Sequence, residues 1–241
     1  MNKLLLTIII VATLFLLPCY ASANKRTNRS SHVNVVGKMK NVMWKGQLQG
    51  VINLDTIQNK NHLYGFGPQE YLNAELLIMN GKSYKSTVVN EKVMKVEETY
   101  ESKAPFFAYA NIEEWDLYAL PDSVTNISTL ENYLNQVSQK HIRPFLIKME
   151  GHINTASIHI VNLPKGTPVQ SPDDAHKGMQ HYDLYNEQVS LIGFFSTEHK
   201  TIFTHHDTYL HIHLITNDLL KMGHLDAVSF DPKKIKLYIS K

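Results

Sequence analysis

Tyr209-Leu210-His211-Ile212-His213-Leu214-Ile215 alternates apolar and imidazole side chains with a period of two. Successive side chains of a strand point to opposite faces. Leu210, Ile212 and Leu214 therefore share one face, expected to lie against a core, and His211 and His213 share the other. Their Cα atoms would be ~6.5–7 Å apart, so both rings could reach one ion at ~2.0–2.1 Å. Gly223-His224 opens the next apolar stretch, and a turn through residues 216–222 would return that stretch beside the first and carry His224 to the pair. Three imidazoles with a fourth position open are a catalytic zinc arrangement. Surface-strand histidines in a histidine-rich chain are the alternative, and spacing alone leaves both readings standing. His205, His206 and Asp207 read as a polar turn before the strand. Asp226, two residues after His224, shares its face and could brace an imidazole, although a solvated carboxylate is the simpler reading.

Working outward, further short strands are expected at 47–54, 106–112, 145–149, 155–161, 189–195, 225–230 and 235–239. Residues 75–79 and 83–89 flank Asn80-Gly81, whose tolerance of positive φ marks a hairpin turn. Residues 128–140 form the clearest helix, with Leu130, Tyr133, Leu134 and Val137 at helical spacing and Ser128 with Glu131 as a capping box. Residues 163–181 carry three prolines and two glycines and read as a long loop, either the wall of a site or a surface excursion. The fold class is α+β: strand-rich, with mixed or antiparallel sheets and few helices. The domain spans residues 36–241, divisible into two β-sheet subdomains of about 36–125 and 126–241.

Residues 1–23 read as a signal peptide. Lys3 supplies a positive start, an apolar run follows to Leu17, and Ala21-Ser22-Ala23 is a small-residue cleavage site. The run falls short of the roughly 20 residues a membrane span needs. Export to the periplasm or medium is the expected localisation, with no stable membrane anchor after cleavage. Cleavage removes Cys19, the single cysteine, so a metal would have to be held by His, Asp or Glu. Residues 24–35 read as a flexible leader. With 24 Lys plus Arg against 22 Asp plus Glu and no basic stripe, nucleic acid is not an expected partner. A homodimer is left open.

Three segments resemble the α-acetolactate decarboxylase family. They are LYGFGPQEYLNAELLIMNGKSYK from Leu63, PFLIKMEGHI from Pro144, and VSLIGFFS from Val189 with YLHIHLITNDLLKMGHLDAVSF from Tyr209. His-x-His followed by Gly-His is the most specific part of the likeness. The resemblance implies an acetolactate-decarboxylase-like fold, one Zn2+ on His211, His213 and His224, Glu75 in the active site, and conversion of 2-acetolactate to acetoin and CO2. A small anionic keto acid is the implied substrate. Lys148 stands where the family has an arginine, and a lysine is a point charge that lacks the two-bond grip of a guanidinium on a carboxylate. A further glutamate that the family carries in a C-terminal tail has no counterpart before Lys241. Without the resemblance, Glu75 and Lys148 read as solvated strand residues. A non-catalytic exported metal-binding protein of the same fold is one alternative. A cupin-like metalloenzyme is another, although cupins follow His-x-His with a nearby glutamate and here only Asn217 and Asp218 follow.

Overall fold

The structure, a computed structural model, describes residues 32–204 and 208–241. The expected signal peptide, the first part of the leader, and His205, His206 and Asp207 lie outside the described residues. The chain runs through β1 (Asn34–Gly37), α1 (Met39–Lys45), β2 (Ile52–Asn53), β3 (Leu63–Pro68), β4 (Glu75–Met79), β5 (Lys82–Asn90), β6 (Val93–Glu98), β7 (Lys103–Ala104) and β8 (Phe106–Asn111). It continues through β9 (Trp115–Tyr118), α2 (Ile127–Val137), β10 (Phe145–His152), β11 (Thr155–Ile160), α3 (Pro172–Ala175), β12 (Gln180–Tyr185), β13 (Gln188–Phe195), β14 (Leu210–Thr216), β15 (Met222–Ser229) and β16 (Ile235–Ser240).

Two antiparallel sheets carry the fold. A six-stranded sheet runs β1-β8-β3-β4-β5-β6, and an eight-stranded sheet runs β12-β11-β15-β14-β13-β10-β16-β9. The small β2-β7 pair stands apart from both. Side-chain alternation sorts the large sheet into two faces. Ile147, Met149, Leu191, Phe195, Leu210, Ile212 and Leu214 pack with Leu130 and Leu134 of α2. Leu146, Ile192, Phe194 and Ile215 point the other way and pack with Tyr64, Phe66, Leu77 and Ala108 of the six-stranded sheet. Burial of a large apolar side chain contributes about 1.5–3 kcal/mol, so this interlayer core fixes how the two sheets lie on each other.

Asn80 and Gly81 have φ of 48° and 82° and join β4 to β5 in the expected tight hairpin. Other expectations need correction. The long strand at 47–54 is reduced to Ile52–Asn53, because the Asn53 side chain accepts from Asp55 N–H and turns the chain into a 3₁₀ segment. Helix α2 starts earlier than read: Asn126 is its cap, and Thr129, not Glu131, closes the capping box. Glu131 instead accepts from Thr208 and from Tyr209 N–H at 2.8 Å, tying the helix to the chain just before β14. The leader's last residues, Asn34 and Val35, already pair with Tyr109 and Ala108. The loop at 163–181 contains α3 and ends in β12; Leu163, Val169 and Ala175 pack on Met39, Val42 and Met43 of α1.

Candidate metal centre

The register of the large sheet lines up one row of side chains across seven strands. Tyr238, Lys148, Ile192, His213, His224, His159 and His181 are successive cross-strand partners. His211 lies two residues from His213 on the same face, opposite Phe194. His211, His213 and His224 thus gather on the face turned toward the six-stranded sheet. Their ring centroids are 5.3 Å apart for His211 and His213, 4.9 Å for His211 and His224, and 5.8 Å for His213 and His224. All three are at least nine-tenths buried.

Gly223 explains why a glycine precedes His224. A Cβ there would lie 2.5 Å from the carbonyl oxygen of His159, so only glycine lets β15 lie this close to β11. From the other layer, Phe66 stacks on His213 at 4.4 Å and meets His211 edge-on at 4.7 Å.

Two rings have their orientation set by an acceptor. His211 Nδ1 lies 2.5 Å from the Phe203 carbonyl oxygen, and a carbonyl only accepts, so Nδ1 carries the proton and Nε2 keeps its lone pair. His224 Nδ1 lies 3.3 Å from Asp226 Oδ1, and the same reasoning applies. A carbonyl or carboxylate behind Nδ1 is the arrangement that presents an imidazole Nε2 to a metal.

Glu75 is buried, not solvated. It projects from β4 between the sheets, where Val161 N–H donates to Oε1 at 3.3 Å and Oε2 faces His213 Nε2 at 3.6 Å, too far for a hydrogen bond. Burial raises its pKa well above the ordinary 4.5, the Val161 hydrogen bond opposes this, and the charge of Asp226 adds to it. The carboxyl is therefore held toward its neutral form.

Lys148 sits on the same face two strands from His213, roughly 9.5 Å away across the sheet. Its Nζ pairs with Glu150 at 3.0 Å and lies over the rings of Tyr238 and Trp115 at 4.7 and 5.4 Å. It is neither a free surface lysine nor in contact with the imidazoles.

Reading the sequence missed His159 and undervalued Asp226. Asp226 Oδ1 accepts from His159 Nδ1 at 2.7 Å as well as from His224, and His181 Nδ1 approaches Oδ2 at 3.2 Å. Burial acts to raise the Asp226 carboxyl, but the hydrogen bonds from His159 and His224 outweigh it and hold the group far below the usual carboxylate range. His159, His224 and Asp226 each place a ligand atom within 4.8 Å of the others. Near them, burial and then neighbouring His159 lower the pKa of His176. His159 lies two strands from His213, a relation set by sheet order, and nothing in its own segment announces it.

Known proteins share the family and the fold of this chain. The family described as alpha-acetolactate decarboxylase matches residues 36–241. An alpha-acetolactate decarboxylase of Brevibacillus brevis is 23% identical over 206 residues, which are 82% of this chain. The chain spans 66% of that relative's length. Among solved structures, alpha-acetolactate decarboxylase from Bacillus subtilis strain 168 superposes with a TM-score of 0.69 at 16% identity, over 86% of this chain and 84% of that one. A Staphylococcus aureus protein of unknown function, similar to the same enzyme, superposes at 0.66 with 15% identity, over 86% of this chain and 84% of that one. These likenesses establish the fold.

Proposed function

Since the chain belongs to the alpha-acetolactate decarboxylase family, we propose that it decarboxylates 2-acetolactate, or a closely related 2-hydroxy-3-keto acid, to acetoin and CO2, using one divalent metal, zinc by preference. One observation carries the reading: three imidazoles converge beside a buried carboxyl held toward its neutral form. The donor set fits a borderline dication, since it offers imidazole nitrogens, two of them backed by acceptors at Nδ1. His211, His213 and His224 would hold that ion. When bound, it would supply Lewis acidity to the oxygens of a keto acid.

The chain's own residues account for the proton. Val161 N–H occupies Glu75 Oε1, so the acid proton rests on Oε2, the oxygen facing His213. When the C–CO2 bond breaks, its electron pair passes into the enediolate of the adjacent ketone. Glu75 Oε2 would deliver the proton that converts that carbon to the C–H of acetoin, and solvent would then restore the acid. Phe66 and the apolar interlayer around it keep water from the imidazole face, which strengthens every charge interaction there. Lys148 would contribute positive potential for an anionic substrate from the end of the row, without touching the reacting atoms.

The pairing of Lys148 with Glu150 favours a second reading, a binding protein that keeps the site without turnover. Export belongs to the proposal as well, on the strength of Lys3, the apolar run and Ala21-Ser22-Ala23. The test is acetoin production from racemic 2-acetolactate by purified, zinc-loaded protein, with Glu75→Gln alongside. Turnover by the wild type, nearly abolished in Glu75→Gln at unchanged metal content, supports the lyase. A fully loaded wild type that makes no acetoin overturns it.

A further inference from the structure

The far half of the histidine row is not used by the proposed reaction, and it is built like a site of its own. His159 on β11 and His181 on β12 are directly opposed cross-strand partners, with ring centroids 5.7 Å apart. Cross-strand partners have Cβ atoms about 4.5–5.5 Å apart, so two imidazoles there can share one ion. Their Nδ1 atoms reach the two oxygens of a single carboxylate, Asp226, at 2.7 and 3.2 Å. Donor atoms around a tetrahedral ion with bonds of ~2.0–2.1 Å lie about 3.3 Å apart; the 3.2 Å separation matches that spacing, the 2.7 Å one has to widen, and an ion entering here would displace the Nδ1 protons now shared with Asp226. Among the described residues, every ion-pair partner of Asp226 is a histidine, so no lysine or arginine answers its charge. The cluster also opens to solvent: the side chains of His181 and Asp226 are 54% and 30% exposed, while His159 is 8% exposed and anchors the cluster from inside.

We propose that His159, His181 and Asp226 form a second divalent-metal site, distinct from the one on His211 and His213, selective for zinc, cobalt, nickel or copper over magnesium and calcium. The selectivity follows from two imidazole nitrogens in the donor set, since magnesium and calcium take oxygen ligands. His224 is the border between the two sites. Its Nδ1 donates to Asp226 Oδ1, so the carboxylate that would hold the second ion also orients a ring of the first site. Asp226 thereby couples the two: a cation on its oxygens draws charge away from the His224 hydrogen bond. The second site does not require the decarboxylase reading.

The test is a cobalt(II) titration of the untagged full chain, followed by equilibrium dialysis and by the visible absorption of bound cobalt. The wild type should take up two equivalents. His181→Ala, at an exposed position where folding is not at risk, and His159→Ala should each weaken the second equivalent by tenfold or more and leave the first in place. His211→Ala should remove the first equivalent and leave the second. Magnesium or calcium in excess should not compete with the second. A wild type that binds one equivalent, unaffected by His159→Ala and His181→Ala, overturns the second site and leaves the first intact. Loss of the sole bound ion in His181→Ala, with no effect of His211→Ala, supports the second site and overturns the first.

Discussion

Gly223→Ala adds one methyl group where β15 lies tightest against β11. The new Cβ would lie 2.5 Å from the His159 carbonyl oxygen, whereas carbon–oxygen contacts are ordinarily no shorter than about 3.3 Å. The strands must therefore part locally by about 0.8 Å, and His224, the next residue, moves with them. Metal–ligand distances hold to about 0.2 Å, so the shift is several times what a three-imidazole site tolerates. Overpacking of this kind costs about 1–3 kcal/mol. In a domain of this size each kcal/mol lowers Tm by about 2–4 °C, which gives a fall of roughly 2–12 °C. Misplacing a catalytic group by about 1 Å costs on the order of a hundredfold in rate. Calorimetry should find the lower Tm both with and without chelator, and the stabilisation gained on adding zinc should shrink. Acetoin formation should drop by about that factor of a hundred. A variant that melts within about 1 °C of the wild type and gains as much from zinc would refute the idea that close strand approach is what places His224.

Metal-free wild-type protein should lose stability as pH rises above 4.5, the ordinary glutamate value, toward the raised folded pKa of Glu75. In that window the native state binds more protons than the unfolded state, so the slope of stability against pH is negative. Urea denaturation of apo Glu75→Gln should show a shallower slope, and an unchanged one would mean that Glu75 is not held neutral. Lys148→Ala should lower kcat/KM on 2-acetolactate by about 2–20-fold, the loss of one unit charge roughly 9.5 Å from the imidazoles at an effective dielectric of about 20–80, whereas Lys148→Arg should retain or raise it; equal rates in all three proteins would remove Lys148 from substrate recognition. Phe66→Ala, which empties a fully buried position against His213 and His211, should cost about 3–5 kcal/mol in thermal or denaturant unfolding.

Local periodicity was enough to read part of this protein. Alternation in 209–215 put two imidazoles on one face and three leucine or isoleucine side chains on the other, and the interior packs them that way. Asn80-Gly81 specified its hairpin because positive φ is a property of those residues themselves. Capping, by contrast, was misassigned at Ser128 and Glu131, because Glu131 was drawn to the chain before β14 by a tertiary contact. β3 was not among the expected strands; Gly65 and Gly67 are there because a Cβ would lie 2.6 and 2.4 Å from the carbonyl oxygens of β8.

The site divides along the same line. His211 and His213 are neighbours in sequence, so strand geometry alone joins them. Glu75 could be placed only by family resemblance, since its burial depends on how the six-stranded sheet is laid across the eight-stranded one. The meeting of His159 and His181 with Asp226 was beyond the reach of sequence, because side-chain period fixes which face a residue takes but not which strands become neighbours. Strand order and register are decided by pairing across the whole sheet, where shifting one strand by a single residue would move that strand's histidines to the opposite face and break the row.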